Sequence, residues 1–372
     1  MMWLEKLTLQ NFRNYENAQI TFCKKTNMIQ GENAQGKTNI LEALSLLSTG
    51  RSFRTPHLSD AIYHGKSSFF IEVHFFKEGV EQSLSLYFDK TTKKILHNKT
   101  IYPSFVSILG IVPSVFIVPE DISLIIGAPA ERRRFLDIHI AQIDPLYVYH
   151  LGRYYKAMKQ RNLLLKQQNE SSLSSWEHIM AQAAAYLISA RIRHLQQLLP
   201  DAERFMNVLS KSKDSLTASY HSSLSKPTEG ADLASAYLHL WQQSRKRDLL
   251  LKSTLLGPHR DDIMFSINQK EAKYFGSEGQ KRCCITALYL SIHMSMEKTL
   301  STAPILGIDD FGAHLDPSRS LALLEHITTS GQTFLTSPTP FALHHDEGKH
   351  FYISSGHISE DRALYVANMH DL

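Results

Sequence analysis

A chain of 372 residues with 43% hydrophobic and 20% charged residues has the composition of an ordinary soluble protein of about two domains, which sets aside disorder and fibrous coiled coils for most of its length. Its 40 Lys and Arg against 36 Asp and Glu leave a net charge of only +4, so an argument for a polyanionic partner must rest on where the cations sit. Cys23, Cys283 and Cys284 supply neither a disulfide framework nor a four-ligand zinc site and point to a reducing cytoplasm, and no apolar run is long enough to span a membrane.

In chain order, residues 26–30 read as a short strand and residues 39–47 as an apolar helix. Between them lies Gly31-Glu32-Asn33-Ala34-Gln35-Gly36-Lys37-Thr38, which fits the phosphate loop G-x-x-x-x-G-K-[ST] at every fixed position. In that strand, loop and helix context, backbone N–H groups and the helix N-terminus point at phosphates. Lys37 neutralises the β- and γ-phosphates, and Thr38 offers its hydroxyl to a magnesium ion. Gly31, Asn33, Gly36, Lys37, Thr38 and Asn39 are therefore the expected nucleotide contacts.

Residues 145–205 read as a short helical hairpin. Leu146, Tyr149, Leu151, Tyr154, Tyr155 and Met158 recur at helical spacing, a polar break follows at Glu170-Ser171-Ser172-Leu173-Ser174-Ser175, and Trp176, Ile179, Ala183 and Leu187 resume the pattern. Positive charge is local here: Arg132, Arg133, Arg134, Arg153, Lys156, Lys159, Arg161 and Lys166 face only Asp137 and Asp144. Taken alone, such a run is most often a solvated face.

Further on, Ser277-Glu278-Gly279-Gln280 precedes an apolar helical run at residues 283–292. Ser277 is read either as an N-cap or as part of a second anion site at a helix N-terminus. Residues 304–308 form an apolar strand ending in Asp309 and Asp310. Asp309 is the expected magnesium ligand and Asp310 the group that polarises the attacking water. Lys37 and Asp309 lie 272 positions apart, so a large insertion separates the two halves of the site. Leu315-Asp316-Pro317 then reads as a turn, and residues 333–339 as a strand ending in hydroxyls.

The order of phosphate loop, signature-like serine and two-acid strand resembles the ABC-type ATPases. Several stretches together resemble the RecF family, bacterial DNA recombination and repair ATPases related to the SMC heads. They are Leu7-Thr8-Leu9-Gln10-Asn11-Phe12-Arg13-Asn14-Tyr15, Thr49-Gly50-Arg51-Ser52-Phe53-Arg54-Thr55, the block from Pro119-Glu120-Asp121 to Arg132-Arg133-Arg134-Phe135-Leu136-Asp137, and Leu256-Gly257-Pro258-His259-Arg260-Asp261-Asp262. The resemblance implies an α/β ABC-type P-loop ATPase head, SMC-like, with an inserted mainly helical arm. Residues 1–110 form the first part of the head, 111–250 a central region with the arm, and 251–372 the second part with signature and acidic strand.

It further implies ATP and Mg2+ as ligands and an ATP-dependent homodimer. In that dimer Ser277, Gly279 and Gln280 of one subunit close over the γ-phosphate held by the other, with Asp316 in the loop crossing between heads. Duplex DNA is the expected partner, clamped in the ATP state and released after slow hydrolysis. Arg51, Arg54 and the arm cations are the candidate contacts, and RecO and RecR the implied protein partners. The setting is cytoplasmic DNA repair, replication and the SOS response, with recombinase loaded at gaps and no membrane involved. Three departures stand out: Gly307 where a bulky residue is expected, Phe311-Gly312-Ala313-His314 before Leu315, and Asp310 in place of glutamate. Against a transporter subunit stand Ser277-Glu278-Gly279 rather than Ser-Gly-Gly and no histidine from Thr336 to Thr339. Against a small-molecule kinase stands the distance to the acidic strand. A nucleotide-gated scaffold without meaningful hydrolysis is the remaining alternative.

Overall fold

The N-terminal segment alternates buried Met2, Leu4, Leu7 and Leu9 with more exposed residues, the period-two pattern of a strand covered on one face. In the computed structural model, which describes residues 2–224, 232–312, 323, 327, 331–338 and 348–360, it forms β1 (Met2–Phe12). β1 joins β2 (Tyr15–Thr21), β4 (Ser68–Lys77), β5 (Val80–Asp89), β6 (Lys93–His97) and β7 (Thr100–Tyr102) in an antiparallel sheet of order β2-β1-β4-β5-β6-β7.

A second sheet has the order β15-β14-β3-β13-β12-β8, with β3 (Thr26–Gln30), β8 (Ser114–Ile117), β12 (Ile305–Ile308), β13 (Thr333–Ser337), β14 (Lys349–Ser354) and β15 (His357–Ser359). Every residue of β3, β12 and β13 is buried, as expected of parallel strands covered on both faces. β13 pairs in parallel with both β3 and β12, so the loop after β3 and the acids after β12 emerge at one sheet edge. At such C-terminal strand ends α/β sheets place their ligands. Helix α1 (Lys37–Thr49) packs between the sheets through Ile40, Leu41, Ala43, Leu44, Leu46 and Leu47. Phe22 meets Phe334 and Phe351 edge-on at 4.7 and 5.9 Å in the same core.

These sheets belong to one compact unit, residues 1–121, 205–213 and 282–372. The other unit, 122–204 and 214–281, is mainly helical. It carries α2 (Ser123–Ile126), α3 (Pro129–Ile143), α4 (Pro145–Lys166), most of α5 (Leu173–Ser210), α6 (Leu233–Leu251), α7 (Ala272–Phe275) and the first turn of α8 (Glu278–Leu300). Its small sheet has the order β11-β10-β9, from β9 (Leu216–His221), β10 (Asp262–Ile267) and β11 (Lys270–Glu271). The chain passes between the units at 121/122, 204/205, 213/214 and 281/282, beside the divisions at 110/111 and 250/251 that the sequence suggests. β8 pairs with β12 in the first unit and β10 with β9 in the second, and strand pairing decides membership.

The helical hairpin is present as α4 and α5, but its inward face differs from the expected stripe. α4 buries Tyr147, Tyr154, Ala157, Arg161 and Leu165, whereas Leu146 and Tyr149 are 59% and 55% exposed. A helix with apolar residues on most sides fits more than one stripe, and packing chose the one containing a buried ion pair. Gly307 has a direct explanation: a Cβ there would lie 2.4 Å from the ring of Phe116 on β8, which fills the space a bulkier strand residue would take.

Candidate nucleotide site

The phosphate loop needs glycine at both ends. A Cβ on Gly31 would sit 2.4 Å from the Ile353 carbonyl oxygen, and Gly36 adopts φ 119° with Asn14 and Tyr15 against its open side. Gly36 caps α1 with no side-chain hydrogen bond and no acidic residue in the first turn. The helix N-terminus therefore keeps its N–H groups and positive dipole end for an anion.

Lys37 is 4% exposed and its Nζ donates to the Glu32 carbonyl at 2.7 Å. Burial lowers the pKa of its ammonium, while Asp310, Asp309 and Glu32 oppose the shift. The next residue closes the site: Thr38 Oγ1 lies 2.9 and 3.0 Å from the two carboxylate oxygens of Asp309, donating to that carboxylate. Burial raises the pKa of Asp309, opposed by hydroxyl hydrogen bonds from Thr336 and Thr38. Thr336 Oγ1 donates to Asp309 Oδ1 at 2.6 Å and accepts from the Asp310 backbone N–H at 2.8 Å. Asp310 lies past the end of β12 in a turn, at φ 50°. A hydroxyl and a carboxylate held together beside an uncapped helix N-terminus and a buried ammonium form a donor set that fits Mg2+ with phosphate oxygens.

The RecF/RecN/SMC N terminal domain family matches residues 3–347. The DNA replication and repair protein RecF of Protochlamydia amoebophila is 42% identical over 92% of this chain and 96% of its own. RecF of Streptococcus suis is 38% identical over 96% and 100%. The chain belongs to the RecF family. A solved structure described as the recombination mediator protein RecF-ATP in the RecFOR pathway superposes with a TM-score of 0.89 at 30% identity, covering 96% of this chain and 97% of that one. The Smc head domain from Pyrococcus furiosus, at TM-score 0.55 and 18% identity, shares the fold. The α/β ABC-type head is thus the architecture of this RecF-family chain.

Of the expected site residues, Gly31, Gly36, Lys37, Thr38, Asn39, Asp309 and Asp310 gather at this sheet edge, with Asn33 on the exposed part of the loop. Ser277, Gly279 and Gln280 belong to the other unit. Ser277 Oγ accepts from Gln280 N at 3.3 Å and the Gln280 side-chain oxygen accepts from Ser277 N at 2.9 Å, a reciprocal capping box at the start of α8. The Gln280 amide also donates to Asp214 at 2.7 Å, which ties the start of α8 to the segment before β9. Asp316 lies outside the described residues.

The basic run divides into two groups. Arg132 is 6% exposed and pairs with both oxygens of Asp262 at 2.7 and 3.0 Å. Arg161 is fully buried between Glu177 and Asp248, at 3.0 and 2.8 Å. Both are structural ion pairs and are corrected from the expected nucleic-acid contacts: buried charges need partners, and these have them. Arg133 donates to the Asp261 carbonyl at 2.6 Å. Arg134, Lys156, Lys159 and Lys166 are exposed, and Arg153 lies over the Tyr149 ring at 5.5 Å.

Sequence reasoning missed a cluster around the phosphate loop. Tyr15 OH donates to the Gly36 carbonyl at 3.1 Å, and the Asn14 amide donates to the Gln35 carbonyl at 2.7 Å. Arg13 holds the fully buried Glu42 through Nε at 2.8 Å and Nη2 at 2.5 Å. The only signal was that Arg13, Asn14 and Tyr15 are consecutive in a stretch quoted for family resemblance.

Proposed function

We propose that this chain is an ATP-dependent DNA-binding ATPase of recombinational repair and replication maintenance. The observation that carries this reading is the contact of the Thr38 hydroxyl with Asp309 beside the buried Lys37 ammonium. In this reading Lys37 and the α1 N-terminus hold the triphosphate. Mg2+, when bound by Thr38 and Asp309, offsets the charge that builds on the phosphate oxygens. Asp310 orients the attacking water; its side chain is one methylene shorter than glutamate, which suits slow turnover.

Two copies sandwich two ATP, each bound by the phosphate loop of one copy and the Ser277, Gly279 and Gln280 segment of the other. In the single copy Ser277 serves as the N-cap of α8, so in this reading its hydroxyl exchanges the Gln280 N–H for the γ-phosphate held by the partner. Duplex DNA is held through its phosphates by Arg51, Arg54 and the exposed arm cations, with a steep salt dependence and little sequence preference. Slow hydrolysis opens the dimer and releases DNA, in a cytoplasmic pathway with RecO and RecR that loads recombinase at gaps.

Steady-state phosphate release by the wild type and Asp310→Asn tests the hydrolytic role. Loss of turnover with nucleotide affinity retained is expected. Unchanged turnover removes Asp310 from the mechanism, and no turnover in the wild type, with ATP bound, favours a nucleotide-gated scaffold.

A further inference from the structure

A line of side-chain contacts joins the phosphate loop to an exposed arginine. Arg54 Nη1 donates to Asn39 Oδ1 at 2.6 Å, Asn39 Nδ2 to Asn14 Oδ1 at 2.8 Å, and Asn14 Nδ2 to the Gln35 carbonyl at 2.7 Å. Each amide has one orientation because its neighbour dictates it: the Gln35 carbonyl accepts only, so Asn14 turns its NH2 there and its oxygen to Asn39. Asn39 must then present its own oxygen to Arg54. Gln35 is itself held from the far side, its carbonyl accepting from Gly356 N at 3.3 Å and its side-chain oxygen from Ser355 N at 2.5 Å.

The backbone around Arg54 is fixed independently of this line. Ser52 Oγ donates to buried Glu42 and accepts from the backbone N–H groups of Arg54 and Thr55 at 3.0 and 3.1 Å. The loop therefore stays on α1 while the exposed Arg54 guanidinium is free to change acceptor. Its present acceptor is a neutral amide, and a phosphate oxygen accepts a charge-assisted hydrogen bond roughly twice as strong. The turn that carries Asn14 is conformationally committed, with Arg13 at φ 56° and Asn11 at φ 51°.

We propose that Asn14 is a positioning residue that couples nucleotide in the phosphate loop to the availability of Arg54 for a nucleic-acid phosphate. The inference rests on the reading above, in which this loop takes ATP and Arg54 meets DNA. Nucleotide phosphates at the start of α1 draw the Asn39 amide away from Arg54, and Asn14 ties that change to the Gln35 carbonyl. Arg54 then exchanges an amide for DNA phosphate. By linkage, DNA tightens nucleotide by the same factor.

The test is the affinity of the full chain for a fluorescent duplex, by anisotropy at fixed salt, with and without a slowly hydrolysed ATP analogue and Mg2+. The wild type is expected to bind duplex at least about fivefold more tightly with nucleotide. Asn14→Ala, with the analogue at a concentration that saturates each variant, is expected to bring that ratio to within about twofold of one. Asn14→Asp keeps the acceptor for Asn39 but has no donor for Gln35, so it loses the ratio as well and carries the test if the alanine variant is unstable. Retention of the ratio in both variants overturns the relay and leaves the proposed function standing. Absence of the ratio in the wild type overturns both.

Discussion

The Thr38 hydroxyl and the Asp309 carboxylate, 271 positions apart in sequence, meet at 2.9 and 3.0 Å. β13 lies between β3 and β12 with both pairings parallel, so the loop of one outer strand and the acid of the other reach around the same end of the middle strand. Thr336, from that middle strand, donates to the same carboxylate.

Thr336→Val keeps shape and removes one donor from a buried carboxylate. Burial already pushes Asp309 upward and the hydroxyl opposes it, so the variant's Asp309 titrates at higher pH. A hydrogen bond to a charged group contributes about 1.5–3 kcal/mol, which predicts roughly a tenfold or greater loss of Mg2+-dependent ATP affinity. The loss should shrink as pH rises and the carboxylate reionises. Calorimetry over a pH series checks it, and an unchanged affinity would mean that Thr336 only packs.

Gly307→Val places atoms where the Phe116 ring now lies. Overpacking of this kind costs about 1–3 kcal/mol. Adding Phe116→Leu should recover part of the loss in denaturant midpoint. If the double variant is no more stable than Gly307→Val alone, the ring is not what excludes a side chain there.

Arg161→Ala leaves buried Asp248 without its cation and Glu177 with Arg245 alone, and should cost about 3–5 kcal/mol in the helical unit. Lys159→Ala, at an exposed position of the same helix, should change stability by no more than about 0.5 kcal/mol. Its signature is instead a duplex-binding salt slope smaller by about one. Urea unfolding and salt titration together separate the two roles. Equal effects on stability would contradict the division made above.

His139 and His259 are held down to about 4 and His194 to about 3, in each case chiefly by burial. The folded state refuses protons that the unfolded chain accepts from pH 6.5 downward. Stability from these groups is therefore present above about pH 6.5 and declines toward pH 4, by about 1.4 kcal/mol per pH unit for each proton taken up. Trp241 fluorescence, in the same unit, reports the unfolding. His194→Leu should flatten the acid limb by one proton, whereas a midpoint that does not move between pH 7 and 5 would contradict the assignment.

Much of the head was legible because its signals are local. The glycines and Lys37-Thr38 of the phosphate loop lie within eight residues, and β12 is a short unbroken apolar run, whereas β3 and β13 carry only Met28-Ile29 and Phe334-Leu335 between polar residues. The roles of Asn14 and Tyr15 were not legible, since a polar turn residue gives no sign that a distant loop will fold against it. Arg161 was misread for a related reason: its charge is cancelled by Glu177 and Asp248, neither of which is near it in sequence. The stripe on α4 failed because Tyr147 and Tyr149 are equally apolar, and only packing put one inside at 0% exposure and the other outside at 55%.

In the proposed dimer, ATP joins two copies through Ser277. Sedimentation of the purified chain at low salt, with and without ATP and Mg2+ and with and without a duplex fragment, tests it most directly. The expected result is a monomer that becomes a DNA-bound dimer only with ATP, and a Ser277→Arg variant that binds ATP yet stays monomeric. A wild-type chain that remains monomeric while saturated with ATP would reduce Ser277 to its capping box and end the two-head mechanism.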